Sequence, residues 1–228
     1  MAIKKILRSK GYDVIHYYSF YDSYLKPLGI KTVLDIGANT GEFSKEMRSL
    51  FPEADIYAFE PLKDCFDTMT KKMSGDTKFH PLNIALGETN GESVIQRSSF
   101  HPSSSLRTMA GLHKELYPKS KDSIEEKIQV MRLDDAVKNI ELQTPIFIKM
   151  DVQGFEDSVI RGGHVTIQKA SVLQIETAFV SLYENQPLFG DIHDQVRALG
   201  FSYKGANSSH RNQKTGELIY QDSIFVRN

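Results

Sequence analysis

Thr32-Val-Leu-Asp-Ile36 is a short apolar run that stops at Gly37-Ala-Asn-Thr-Gly41. The run reads as a buried strand, and Gly37 lets the backbone leave it in a tight turn and approach a ligand. Gly41 lets the following helix pack close to that turn. Helical spacing begins at once. Phe43, Met47 and Leu50 stand at i, i+4 and i+7, and Pro52 ends the pattern. Ile56 to Phe59 reads as a second strand. Pro61 suits the first turn of a helix, where its missing N–H costs nothing. Leu62, Phe66, Met69 and Met73 form the buried stripe of that helix, Cys65 is a structural member of it, and Gly75 closes it.

The same rhythm continues outward. Lys78 to Ala85 reads as a third strand. Glu92 to Gln96 and Lys127 to Met131 read as two strands paired with each other, around an irregular polar stretch from Arg97 to Glu126. Pro145 to Met150 is a buried strand, and Phe155 to Arg161 a short helix closed by Gly162-Gly163. Ser171 to Ile175 is a further strand. Ile192, Val196 and Leu199 mark the last helix, before a terminal hairpin of Phe201 to Tyr203 and Leu218 to Val226. Strands alternating with helices imply an α/β fold with a mostly parallel sheet, helices on both faces and an antiparallel C-terminal hairpin. The domain is expected over residues 31–228. The first thirty residues read as a helical cap with an aromatic cluster (Tyr12, Tyr17, Tyr18, Phe20, Tyr21, Tyr24) that packs on the domain or walls a pocket.

Composition narrows the functions. The 228 residues carry 28 Lys or Arg against 29 Asp or Glu, a net charge of −1. That balance argues against a broad electrostatic grip on nucleic acid. The single cysteine excludes an internal disulfide. No apolar run reaches the roughly 20 residues of a membrane span. The basic start lacks the apolar segment of a signal peptide, so a cytoplasmic protein is expected.

Ligands in open α/β sheets bind beyond the carboxyl ends of the strands, and acids stand there: Asp35, Glu60, Asp151 and Glu176. The loop reads Asp-x-Gly-x-Asn-x-Gly, with Asn39 and Gly41 in its second half. This is not the Gly-x-Gly-x-x-Gly spacing of dinucleotide binders. An acid in the loop suits a ligand with an ammonium group, such as S-adenosylmethionine, held by Asp35 directly or through water. Glu60, followed by Pro61, is placed to accept both hydroxyls of an adenosine ribose, a device NAD enzymes share. Asn83 can read the adenine edge, with Ile84 against the ring.

Lys149 and Asp151 lie two residues apart on an apolar strand and share a face. Either they form a structural pair, or Asp151 faces donor and acceptor with Lys149 tuning it. Glu156 is placed to brace the following loop. Glu176 is a second acid for the acceptor side. A divalent ion on Asp151 and another acid is chemically open, although no metal-ligand spacing such as His-x-x-x-His occurs.

These motifs resemble the FkbM family of S-adenosylmethionine-dependent methyltransferases, from about Tyr18 to Arg227. They are Val33 to Gly41, Phe59-Glu-Pro61, Asn83-Ile-Ala-Leu-Gly87, Ser103-Ser-Ser-Leu106, Leu133-Asp-Asp135, Asp222 to Arg227 and, most specifically, Ile148-Lys-Met-Asp-Val-Gln-Gly-Phe-Glu156. The resemblance implies a class I, Rossmann-like methyltransferase fold. It also implies O-methylation of a hydroxylated small-molecule or glycan acceptor, with S-adenosylhomocysteine as product. It places Ser104 over the donor and makes His101, His113 and Tyr117 acceptor-side residues. The expected chemistry is in-line displacement at the sulfonium methyl, with Asp151 or Glu176 as base and Lys149 positioning. Phe179, Tyr183 and Phe189 are expected either to stack on a sugar ring or to pack. The competing readings are an NAD-dependent oxidoreductase, a nucleic-acid methyltransferase and a non-catalytic donor-binding module.

Overall fold

The computed structural model describes residues 9–10, 20–98, 104–117 and 123–228. Most of the N-terminal cap, including Tyr12, Tyr17 and Tyr18, lies outside these residues, as do His101 and Ser103. Chain entry is through α1 (Tyr21–Leu25), wound as a π-helix, and the single turn α2 (Lys26–Leu28). Then β1 (Thr32–Ile36), α3 (Glu42–Leu50), β2 (Asp55–Phe59), α4 (Lys63–Lys72) and β3 (Phe79–Leu82) alternate as the periodicity predicts. Two differences are local. Helix α4 starts two residues after Pro61, because the Glu60 side chain takes the Leu62 N–H and holds Leu62 extended. The third strand is broken: β3 ends at Leu82, and β4 (Ala85–Leu86) leaves for a second sheet.

That second sheet has the order β4-β6-β5, with β5 (Gly91–Ser98) antiparallel to β6 (Ser123–Met131), as expected. Between β5 and β6 lies α5 (Gly111–Leu116). The chain continues through α6 (Leu133–Ala136), β7 (Ile146–Met150), α7 (Glu156–Gly162), α8 (His164–Ile167), β8 (Val172–Ala178) and α9 (Phe189–Ala198). It closes with the hairpin β9 (Phe201–Arg211) and β10 (Leu218–Arg227).

The main sheet has the order β3-β2-β1-β7-β8-β10-β9, and only β10 runs against its neighbours. Strand order reverses between β1 and β7, which opens a crevice at their carboxyl ends. Two cores follow from the period-2 alternation of buried strands. Leu34, Ile36, Ile146, Ile148, Leu173 and Phe225 face α7, α8 and α9. Val33, Ile56, Phe147, Val172 and Ile224 face α1, α3 and α4. On this second face the same alternation carries Asp35, Lys149, Gln174, Glu176 and Asp222 to the crevice end. The register sets Asp35 beside Lys149, Lys149 beside Gln174, and Glu176 beside Asp222. No helix among the described residues is long and apolar enough to cross a membrane.

Candidate active site

A cavity of about 1550 Å³ opens over the crevice. Single small-molecule pockets usually enclose about 300–1,000 Å³, so this one has room for two reactants. Gly37, Asn39, Glu60, Pro61, Ile84 and Ser104 line one end, and Lys149, Asp151, Glu176, Tyr220 and Asp222 the other.

The first end is built by backbone. The amides of Gly37 and Ala38 both bond the Phe59 carbonyl at 3.0 Å, which ties the β1–α3 turn to β2. The turn then passes Asn39 at φ 48°. The Glu60 carboxylate accepts the Asn39 N–H at 2.8 Å and the Leu62 N–H at 2.9 Å, one on each oxygen. Burial pushes this carboxyl up to about 7, against the pull of those two amides. A carboxylate has about four lone-pair sites, so each oxygen keeps one for a ligand hydroxyl. Ile84, Leu62, Ile95 and Leu106 supply an apolar slot beside it.

Three expected contacts of this end fall elsewhere. Asp35 does not line the cavity: it is fully buried behind the turn, with Ser44 Oγ on Oδ2 at 2.7 Å and Lys149 Nζ 3.6 Å from Oδ1. Burial raises its pKa despite the ammonium. It stands within ion-pair distance of Lys149, and its Oδ1 makes no hydrogen bond among the described residues. Gly41, at φ 82°, also stands outside the lining; a Cβ there would meet Met69 Cγ at 2.8 Å, so it serves the α3–α4 contact. Asn83 lies outside the lining and points its amide nitrogen to the Glu60 and Pro61 carbonyls, both at 2.9 Å, which steadies their segment. Gly37 is also more constrained than its motif suggests. At φ 78°, its Cβ would sit 2.0 Å from the Asp151 carbonyl oxygen, so the close approach it permits is to the β7–α7 loop.

The second end is built by side chains. Lys149 donates to the Gly37 carbonyl at 3.1 Å and lies 3.4 Å from Asp151 Oδ2. Burial would lower its pKa, but Asp151 and Asp35 outweigh burial and hold it charged. Gln153 joins the acids. Its amide nitrogen donates to Asp151 Oδ1 at 2.7 Å and to Glu176 Oε1 at 3.0 Å, while its amide oxygen accepts the Tyr183 hydroxyl at 2.9 Å. Its own backbone is left-handed at φ 54°, a conformation that costs a non-glycine residue and persists only where surrounding contacts impose it. Its carbonyl takes the Ser105 hydroxyl at 2.6 Å, which docks the Ser104–Leu106 segment over the cavity. Burial and the nearby Asp151 carboxylate raise Glu176 well above the usual carboxylate range. Glu156 braces the loop as expected: Oε1 takes the Val152 N–H at 3.1 Å and the Gly154 N–H at 3.2 Å.

Sequence reasoning missed Gln153, Gln174, Tyr220 and Asp222. Gln153 sits inside a quoted motif and Asp222 opens another, and both lie next to residues that were read. Asn207, Tyr220 and Asp222 bring the terminal hairpin into the wall. His113 and Tyr117 do line the cavity. Phe179 and Phe189 do not; they stack on each other at 5.1 Å. Tyr183 is buried and spent on Gln153. Among the described residues no group of three or more His, Cys, Asp or Glu side chains is arranged to hold a metal ion.

Known proteins with these features are methyltransferases. Residues 35–203 match the methyltransferase FkbM domain. A 2-O-methyltransferase, NoeI, of Sinorhizobium fredii is 29% identical over 166 residues, 68% of this chain and 66% of its own length. A hexuronic acid methyltransferase, AglP, of Haloferax volcanii is 27% identical over 143 residues, 62% of this chain and 54% of its own. The chain thus matches less than two thirds of either relative. An rRNA methylase of Streptococcus thermophilus superposes with a TM-score of 0.51 at 10% identity, over 94% of this chain and 99% of that one. TrmK of M. capricolum, solved with S-adenosylhomocysteine, gives 0.50 at 11% identity, over 93% and 70%. These structures share the class I methyltransferase fold with this chain.

Proposed function

This chain belongs to the FkbM methyltransferase family, and on that premise we propose that it moves a methyl group from S-adenosylmethionine to a hydroxyl of a sugar, glycan or polyketide-like small molecule. The observation that carries the reading is the continuity of one cavity. It runs from a carboxylate with free lone pairs beside an apolar slot, at Glu60, to a group of acids around Lys149. The names of the two relatives, one a 2-O-methyltransferase and one a hexuronic acid methyltransferase, support sugar hydroxyl chemistry.

The residues fit the donor. Glu60 would take the two ribose hydroxyls, Ile84 and Leu106 would flank the adenine, and Ser104 would cover it. When bound, S-adenosylmethionine supplies an electrophilic methyl that the acceptor oxygen takes in line with the departing sulfur. The chain's part is to orient and to move one proton. Orientation of two reactants in one cavity is worth roughly 7–11 kcal/mol. An alcohol attacks poorly while protonated, and a positioned base adds roughly 10²–10⁴-fold. Asp151 and Glu176 share the Gln153 amide and offer that base; the raised pKa of Glu176 makes its carboxylate a stronger proton acceptor than an ordinary one. Lys149 holds Asp151 in place and keeps the acid group from repelling itself apart.

Calorimetric titration with S-adenosylhomocysteine, with NAD as control, tests the donor half. Micromolar or tighter binding of the first and none of the second is expected. Release of S-adenosylhomocysteine on a panel of hydroxylated acceptors, with and without a chelator, tests the rest. Binding of NAD alone would overturn the reading.

A further inference from the structure

The acceptor end of the cavity is crowded with carboxyl groups. Asp151, Glu176 and Asp222 meet here, and the only Lys or Arg among the described side chains that line the whole cavity is Lys149. Lys149 has nothing left to offer an anion. Its ammonium is enclosed by the Gly37 carbonyl at 3.1 Å, Asp151 at 3.4 Å and Asp35 at 3.6 Å. The Arg107 guanidinium is turned away. It holds both oxygens of Asp157, at 2.9 and 3.1 Å, and stands outside the lining.

The acids at this end are half-used. Gln153 takes Oε1 of Glu176, and Ser208 takes Oδ2 of Asp222. Among the described residues, Oε2 of Glu176 and Oδ1 of Asp222 keep their lone pairs for an O–H or N–H of a ligand. Burial raises the pKa of Asp222 as it does that of Glu176, with the Asp151 carboxylate adding to both and Lys149 only partly offsetting it. Beside these acids stands an aromatic wall. His210 stacks on Tyr220 at 4.9 Å and 12° and leans on Tyr117 at 6.0 Å; both tyrosines line the cavity. Aromatic faces next to hydrogen-bond acceptors match a pyranose, which has an apolar C–H face and a rim of hydroxyls.

We infer that this end is a charge filter that admits neutral or amine-bearing sugar-like polyols and rejects uronates and sugar phosphates, with Asp222 as a specificity-determining residue. The inference rests on the methyl-transfer reading and narrows its acceptor. A carboxylate or phosphate placed here would face Asp151, Glu176 and Asp222 with no free cation among the described residues lining the cavity, and like-charge juxtaposition of this kind is costly. Specificity would come from repulsion as much as from attraction.

The test is saturation-transfer NMR on the full chain loaded with S-adenosylhomocysteine. An equimolar mixture of methyl glucoside, glucosamine, glucuronate and glucose 6-phosphate is the probe. Signals from the first two are expected to exceed those from the anions about tenfold or more. Asp222→Asn should raise the glucuronate signal relative to the glucoside. Glu176→Gln is the second variant, and retained S-adenosylhomocysteine binding certifies the fold of each. Equal or stronger signals from the anions would overturn the filter, as would silence from all four, since an open polyol subsite must register polyols at millimolar concentration. Failure of S-adenosylhomocysteine to bind at the outset would instead strike the methyl-transfer reading itself.

Discussion

The two ends of the cavity hold their carboxylates by opposite means. Glu60 is fixed by two backbone amides, one from the β1–α3 turn and one from its own turn. Asp151, Glu176 and Asp222 are fixed by side chains: Lys149, Gln153 and Ser208. A backbone clamp holds one geometry whatever the neighbouring side chains are. A side-chain network can be retuned by single substitutions, and its members share protons and charge. The first arrangement suits a ligand that never changes. The second suits an acceptor that differs between relatives.

Substitutions should pull the two ends apart. The largest effect is expected at the acid group. Asp151→Asn should lower turnover roughly 10²–10⁴-fold and leave S-adenosylhomocysteine affinity within a few-fold, as read by product release and calorimetry. Loss of donor binding in this variant would merge the two ends. Next comes Glu60→Ala. A hydrogen bond to a charged group is worth about 1.5–3 kcal/mol, so losing even one of the two to the ribose should raise the donor Kd by roughly 10–150-fold, while turnover at saturating donor holds. A kcat loss there would deny the division.

Gln153→Met is smaller and more diagnostic. It removes the amide that both acids share, so the charged form of Glu176 loses a donor and its pKa rises further. Activity depends on the deprotonated base. The acid limb of the kcat/KM profile should therefore move to higher pH, with kcat down by about tenfold and the donor Kd unchanged. An unmoved profile would make Gln153 a packing residue only.

The smallest effect concerns stability. The carboxyl groups of Glu60 and Glu156 are both raised to about 7, so the native state binds more protons than the unfolded chain between the ordinary carboxylate pKa and neutrality. Stability of the ligand-free protein from these two groups is therefore present at low pH and lost as pH rises through about 7. Glu156 uses one oxygen for both of its amide contacts, so Glu156→Gln can keep them. That variant should match the wild type in Tm near pH 5 and exceed it near pH 8, on the order of 1–3 kcal/mol. Equal Tm differences at both pH values would remove the linkage.

The contrast also explains what the sequence disclosed. Strand and helix periodicity predicted the alternating core from Thr32 to Ala198, because each element buries its own stripe. The backbone-built end was legible at Glu60, where a motif within thirty residues of Gly37 closes on itself. Asp35, Gly41 and Asn83 stand outside the cavity lining; motif membership does not tell which side of a turn a side chain faces. Asp35 shares a face with Lys149 through strand register and turns inward. The side-chain end was half legible. Lys149, Asp151 and Glu176 stood out as charges ending apolar strands. Gln153 bonds Tyr183, Tyr21 bonds Gln174 across 153 residues, and Asp222 arrives on an antiparallel strand at its amino end. Such pairings depend on sheet order, which no local spacing encodes.

The most direct test is one calorimetric series with S-adenosylhomocysteine on the wild type, Glu60→Ala and Asp151→Asn. Tight binding to the wild type and to Asp151→Asn, with a large loss in Glu60→Ala, is the predicted result. Full affinity in Glu60→Ala together with its loss in Asp151→Asn would contradict the account, because it would place the donor on the acids assigned here to the acceptor.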